Sequence, residues 1–252
     1  MPEFRSRKAL VNPELRRRGI YILPNLFTTA ALFAGFYAIV QAMTDRYEQA
    51  AVAIFVAMIL DGLDGRVARL TRTQSAFGAE YDSLSDMVSF GVAPALVMFE
   101  WAMKGMGKWG WIAAFIYCVG AALRLARFNT NIEVIDKRYF QGLPSPAAAA
   151  LVAGFVWIMI NNEVSGQDAR WYAFALTNFA GLTMVTNLRY YSGKDINLRR
   201  SVPFVVVLAI ALFFAVVSSY PPEILFALFL CYAFSGYFMA VWDWVRRRKS
   251  PV

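Results

Sequence analysis

The chain contains no histidine and only two cysteines in 252 residues, and just 17% of it is charged. Without histidine the commonest general acid–base is missing, so any base has to be sought among the carboxylates. Cys118 and Cys231 both fall inside long apolar runs. They read as packing residues rather than a disulfide, because free cysteine is commonly buried. No low-complexity tract, linker or internal repeat interrupts the sequence, so one domain over 1–252 is expected, with a basic N-terminal segment at 1–19 and a basic tail at 246–252.

What the chain has in excess is apolar surface. Hydrophobic residues make up 59% of it, against ~45–50% in soluble domains. They come in runs long enough to span a bilayer, which takes ~20 apolar residues. Eight segments qualify, at approximately 20–43, 47–69, 80–103, 108–127, 144–161, 168–188, 201–219 and 222–245. The expected fold is therefore all-α, a polytopic membrane protein of about eight transmembrane helices. The first segment follows "RRRG" but is too long for a signal peptide and has no small-residue cleavage site, so it reads as a retained helix.

Basic residues orient the bundle, since cytoplasmic loops carry the excess of Lys and Arg. Of the 25 basic residues, only Arg46, Lys104, Lys108 and Arg170 fall on the side opposite the termini. Both termini are thus expected in the cytoplasm, at a plasma (inner) membrane. The net charge of +8 lies in clusters beside the spans, a pattern that attracts anionic lipid headgroups rather than nucleic acid. Trp101, Trp109, Trp111 and Trp171 are expected to form an aromatic belt on the outer side.

Against this apolar background stands "DGLDGRVARLTRTQSAFGAEYDSLSD" at 61–86. An ionisable side chain within a membrane is costly and usually functional. Asp61 and Asp64 are three apart at the end of the second segment, Asp82 and Asp86 four apart at the start of the third. Each pair shares one helix face. Asp61 is 14 residues beyond Tyr47, or ~21 Å along a helix, which places it toward the cytoplasmic side. A short connection makes the two helices antiparallel neighbours, so four carboxylates are expected in a cytoplasm-facing intramembrane cleft.

Such a cluster needs cations. Carboxylates without His or Cys favour hard ions, so two divalent cations are expected, Mg2+ or Mn2+ with Ca2+ also able to bind. An EF-hand is excluded, because its twelfth position counted from Asp61 is Arg72. Two metals can clamp the attacking and leaving oxygens of a displacement at phosphorus. Gly62, Gly65 and Ala68 would let a bulky ligand approach the helix, or else pack a neighbouring helix closely. Arg69 can fork onto a phosphate or snorkel to the interface.

Residues 64–86 also read D-G-x2-A-R-x8-G-x3-D-x3-D, through Asp64, Gly65, Ala68, Arg69, Gly78, Asp82 and Asp86. This resembles the signature of the CDP-alcohol phosphatidyltransferases, with no position missing. The resemblance implies attack of an alcohol on the lipid-side phosphorus of a CDP-linked lipid, with CMP leaving. It implies that Asp61, Asp64 and Asp82 hold the metals with Asp86 completing the site, and that Asp86 is the base. It further implies that Asp61, Gly65, Ala68, Arg69 and Gly78 contact the CDP, and that the protein is a homodimer.

Four stretches are similar to the serine-using branch of that family: "LPNLFT" at 23–28, "SAFGAEYDSLSDMVSFGVAPA" at 75–95, "AALRLARFN" at 121–129 and "FQGLPSPAAA" at 140–149. The implied substrates are CDP-diacylglycerol and L-serine. Arg124 and Arg127 could fork onto the serine carboxylate, and the Asn129 carbonyl could take its ammonium. The alternative is that both arginines anchor the helix at the interface. "GLPSP" could equally start a helix, and Asn25 could cap one or touch ligand. Glycerol 3-phosphate as acceptor, and a cation transporter, are the competing readings.

Overall fold

The computed structural model describes residues 13–71, 73, 75–130, 139–192 and 204–249. Basic residues among 1–12, together with Arg72, Lys137, Arg138, Lys194, Arg199 and Arg200, lie outside the described residues. The first two helices, α1 (Pro13–Met43) and α2 (Tyr47–Thr71), form a hairpin. A tight turn joins them, in which Asp45 takes a positive φ of 59°. Glu48 in the first turn of α2 and Arg69 in its last complement the helix dipole.

The third rod runs over 76–106 and is not uniform. It opens as α3 (Ala76–Asp86), capped by Ser75, whose Oγ accepts from the Gly78 N–H at 3.0 Å. A π-helical stretch follows at Met87–Val92, then α4 (Ala93–Met98) and a second π stretch at Phe99–Met103. Pro94 lies between the two π stretches. It has no N–H to offer the carbonyl four residues back, that of Phe90. The buried Tyr117 hydroxyl donates to that carbonyl at 3.1 Å instead. Tyr117→Phe should therefore cost about 1–3 kcal/mol, the penalty for stranding a buried polar group. Thermal unfolding in detergent should show a lower midpoint, and an unchanged one would mean the π turn satisfies Phe90 by itself.

Tyr117 belongs to α5 (Lys108–Thr130), which lies against α7 (Gly166–Val185). The two approach through glycine: a Cβ on Gly181 would stand 2.7 Å from the Tyr117 Cα. At the centre runs α6 (Ser145–Asn161), buried from Ala147 through Val156. Small residues dominate this core, as expected where helices associate by close packing rather than by expelling water. The "GLPSP" stretch is a helix start, with Pro146 in the first turn of α6.

Two short strands depart from a purely helical expectation. Tyr139–Gln141 (β1) pairs antiparallel with Arg189–Tyr191 (β2), Phe140 opposite Tyr190. The pairing satisfies backbone groups that two connecting loops would otherwise leave open. Tyr190 is buried and donates to the Ala233 carbonyl at 2.8 Å, fastening the strands to α9 (Pro221–Lys249). The remaining helix, α8 (Phe204–Ser219), is apolar along its length.

The eight apolar segments thus correspond to eight helical rods among the described residues. Four of them are long and apolar enough to cross a membrane, over 24–43, 76–106, 108–130 and 221–246. The helices at 145–161 and 206–219 are apolar but shorter. Asp61, Asp64, Arg66 and Arg69 charge one end of α2, which keeps its average hydropathy down. Trp109, Trp111 and Trp171 are exposed, as an interfacial belt requires. Trp101 is not part of it: only 9% exposed, it meets Phe155 edge to face.

Candidate active site

The charged end of α2 and the start of α3 meet. Asp61, Asp64 and Asp82 each bring a carboxylate oxygen within 4.8 Å of the other two. Asp64 is only 5% exposed. At 4.8 Å two unit charges repel by roughly 3–4 kcal/mol even at an effective dielectric constant of 20. Among the described residues no lysine or arginine forms an ion pair with these groups; the pair present, Lys104–Glu100, lies at the far end of its rod. Asp82 Oδ1 is buried without a hydrogen-bond partner among the described residues. Hard oxygen donors, carboxylates without an ion-pair partner among the described residues and an orphaned acceptor together fit a divalent cation.

Asp86 stands one turn beyond Asp82 and is not one of the three clustered carboxylates. Its side chain instead meets that of Asp61; its charged neighbours are Asp61 and Asp82, with Arg124 the basic one. The structure therefore gathers three of the four aspartates tightly, with the fourth beside them.

A cavity of about 330 Å3 opens next to the cluster. Its walls are Pro24, Asn25 and Thr28 of α1, Asp64, Gly65, Ala68 and Arg69 of α2, and Thr73, Ser75, Gly78, Ala79 and Asp82. Gly65, Ala68, Arg69 and Gly78, singled out from the sequence, line this one space; Asp61 does not line it, and clusters with the lining residues Asp64 and Asp82. Among the described residues a Cβ at Gly62 would meet nothing within 4 Å, so no other helix of this chain packs against that glycine there. A Cβ at Gly78 would come within 3.1 Å of Ser75 Oγ and 3.4 Å of Asn25 Oδ1, narrowing the cavity.

Several of these walls escaped the sequence reading. Thr28, Thr73 and Ser75 carry no charge, and only the Ser75-x-x-Gly78 spacing hints at a cap. Asn25 lies inside α1 and so does not cap it. Thr28, just 4% exposed, donates from Oγ1 to Asp64 Oδ2 at 2.8 Å.

The two arginines three residues apart on α5 have different surroundings. Arg124 is 9% exposed; Nη1 donates to Ser145 Oγ at 2.7 Å, while Nε is buried without a partner among the described residues. Arg127 donates to the carbonyls of Val185 (2.8 Å) and Thr186 (3.3 Å) and to Asn187 Oδ1 (3.3 Å). Its guanidinium thus holds the carbonyl end of α7, where cations are favoured. Asn129 is exposed and donates from Nδ2 to Ser83 Oγ at 3.0 Å.

A membrane-integral helical fold with an acidic cluster beside a small-residue cavity defines a class, and comparison with known families agrees. The family model described as CDP-alcohol phosphatidyltransferase matches residues 21–186, from α1 through α7. The chain belongs to the CDP-alcohol phosphatidyltransferase family. Among its relatives is the CDP-diacylglycerol–serine O-phosphatidyltransferase of Helicobacter pylori, 36% identical over 198 residues, which are 77% of this chain and 82% of that protein. The protein of the same name from Methanocaldococcus jannaschii is 37% identical over 186 residues, 73% and 79% of the two chains. That from Mycobacterium leprae is 31% identical over 226 residues, 87% and 75%.

Proposed function

We infer that this chain transfers the phosphatidyl group of CDP-diacylglycerol to L-serine, giving phosphatidylserine and CMP. The observation that carries this reading is the three-carboxylate cluster at the wall of a nucleotide-sized cavity, in a chain whose relatives bear that enzyme's name. Asp61, Asp64 and Asp82, with Asp86 beside them, would hold two divalent cations, Mg2+ or Mn2+, with Ca2+ able to bind. When bound, such cations neutralise the diphosphate and act as Lewis acids on its oxygens.

The protein's own groups do the rest. Gly65, Ala68 and Gly78 leave room for the CDP moiety, Asp61 closes the acidic end of its site, and Arg69 forks onto a phosphate. Asp86 accepts the proton of the serine hydroxyl. The hydroxyl oxygen then bonds to the lipid-side phosphorus, and the bond from that phosphorus to the bridging oxygen breaks, so CMP departs with the electron pair. Arg124, beside Asp86, receives the serine carboxylate, and the Asn129 carbonyl takes the ammonium group. Arg127 is assigned to holding α7.

The membrane setting follows the same reasoning. All eight rods are taken to span a plasma membrane as one domain, with both termini and the cleft in the cytoplasm. The basic clusters meet anionic lipids rather than nucleic acid, and the protein works as a homodimer.

Purified protein given CDP-diacylglycerol with serine, or with glycerol 3-phosphate, tests the acceptor directly. CMP release should require serine, and release with glycerol 3-phosphate alone would reassign the acceptor. Cation transport without CMP release would discard the enzyme reading. Arg124→Lys keeps the charge but loses the fork. A charged contact is worth ~1.5–3 kcal/mol, so the serine KM should rise some ten- to a hundred-fold, with CDP-lipid affinity little changed. An unchanged serine KM would remove Arg124 from the acceptor site.

A further inference from the structure

We propose that Thr28, on α1, is a positioning residue for the metal site, aiming Asp64 at the cation and joining α1 to the two helices that carry the cluster. The proposal rests on the reading of Asp64 as a metal ligand. Thr28 Oγ1 donates to Asp64 Oδ2 at 2.8 Å and lies 3.2 Å from the Pro24 carbonyl. A hydroxyl has one proton, and the carboxylate, shorter and charged, is the stronger acceptor. With Oδ2 engaged, rotation of the Asp64 carboxylate is restricted while it stands in the cluster with Asp61 and Asp82.

The same residue is held from the other side. Ser85 Oγ donates to the Thr28 carbonyl at 3.1 Å, and Ser85 precedes Asp86 in the third rod. One turn on, Ser89 Oγ donates to the Ala31 carbonyl at 3.1 Å. Thr28, Ser85 and Ser89 are all buried. These bonds seat the rod carrying Asp82 and Asp86 against α1, while Thr28 Oγ1 reaches across to α2. The two aspartate pairs are 18 or more residues apart in sequence, and Thr28 meets both helices at the level of the cluster, α2 through its hydroxyl and the third rod through its backbone carbonyl. It supplies no oxygen to the cation; it fixes the one that does.

Groups that orient a metal ligand typically contribute 10–100-fold to metal affinity. Mn2+ titration of the purified full-length protein in detergent, read by loss of the free-ion EPR signal, measures that affinity without turnover. Thr28→Val should weaken Mn2+ binding 10- to 100-fold, while Thr28→Ser, which keeps the hydroxyl, should stay within about 3-fold of the parent. Turnover of Thr28→Val should recover as Mn2+ is raised, which a merely misfolded variant would not do. If valine prevents folding, Thr28→Ala removes the same hydroxyl with less bulk and carries the comparison. Equal Mn2+ affinity in parent and hydroxyl-less variants would overturn the positioning role alone. A parent protein that binds no Mn2+ would overturn both this role and the metal site on which it rests.

Discussion

Asp64→Asn should bring CMP release down to background. Asparagine has nearly the shape of aspartate, and its carbonyl oxygen can still accept from Thr28 Oγ1, now 2.8 Å from Asp64 Oδ2. The fold should therefore survive, judged by elution and thermal midpoint. What is lost is one negative charge among three carboxylates that lie within 4.8 Å of one another. Metal stabilisation of a phosphoryl transition state is worth several kcal/mol, and each 1.36 kcal/mol is tenfold in rate, so a fall of ~10³-fold or more is expected. Mn2+ affinity should fall with it, and Asp61→Asn and Asp82→Asn should behave alike. A variant that binds no Mn2+ yet still turns over would show that the reaction does not depend on the cluster as a metal site.

Asp86→Asn should separate chemistry from binding. Asp86 stands outside the tight cluster and against Asp61, so three carboxylates remain when it is neutralised. An amide there cannot take the acceptor's proton, and loss of a general base typically costs ~10²–10⁴-fold. Turnover should fall by that amount while Mn2+ affinity and CDP-lipid binding stay near those of the parent. Loss of Mn2+ binding as complete as in Asp64→Asn would make Asp86 a ligand instead of the base.

These two variants also mark how far the sequence could be read. Long apolar runs and charge spacing are properties of single segments, so the helical rods and the facing of Asp61, Asp64 and Asp82 could be anticipated from them. The Asp-Gly-x-x-Ala-Arg spacing likewise anticipated a cavity with small walls. Other features depend on what a residue meets across the bundle. Trp101 has the same local setting as Trp109, yet Phe155 covers it. Arg127 shares a helix with Arg124, but the free carbonyls at the end of α7 claim it. The strand pair joins loops nearly 50 residues apart, and no alternation over three residues could announce it. Thr28 is an uncharged residue in an apolar helix whose role appears only when α2 is laid beside it.

The most direct test follows labelled serine into lipid. Purified protein, CDP-diacylglycerol micelles, radiolabelled L-serine and Mn2+ should yield label in the organic phase as phosphatidylserine, with one CMP per labelled lipid. Excess chelator should stop incorporation, added Mn2+ should restore it, and Asp64→Asn should show none under any condition. Undiminished incorporation in chelator, or an unlabelled organic phase with the parent enzyme and both substrates present, would contradict the account.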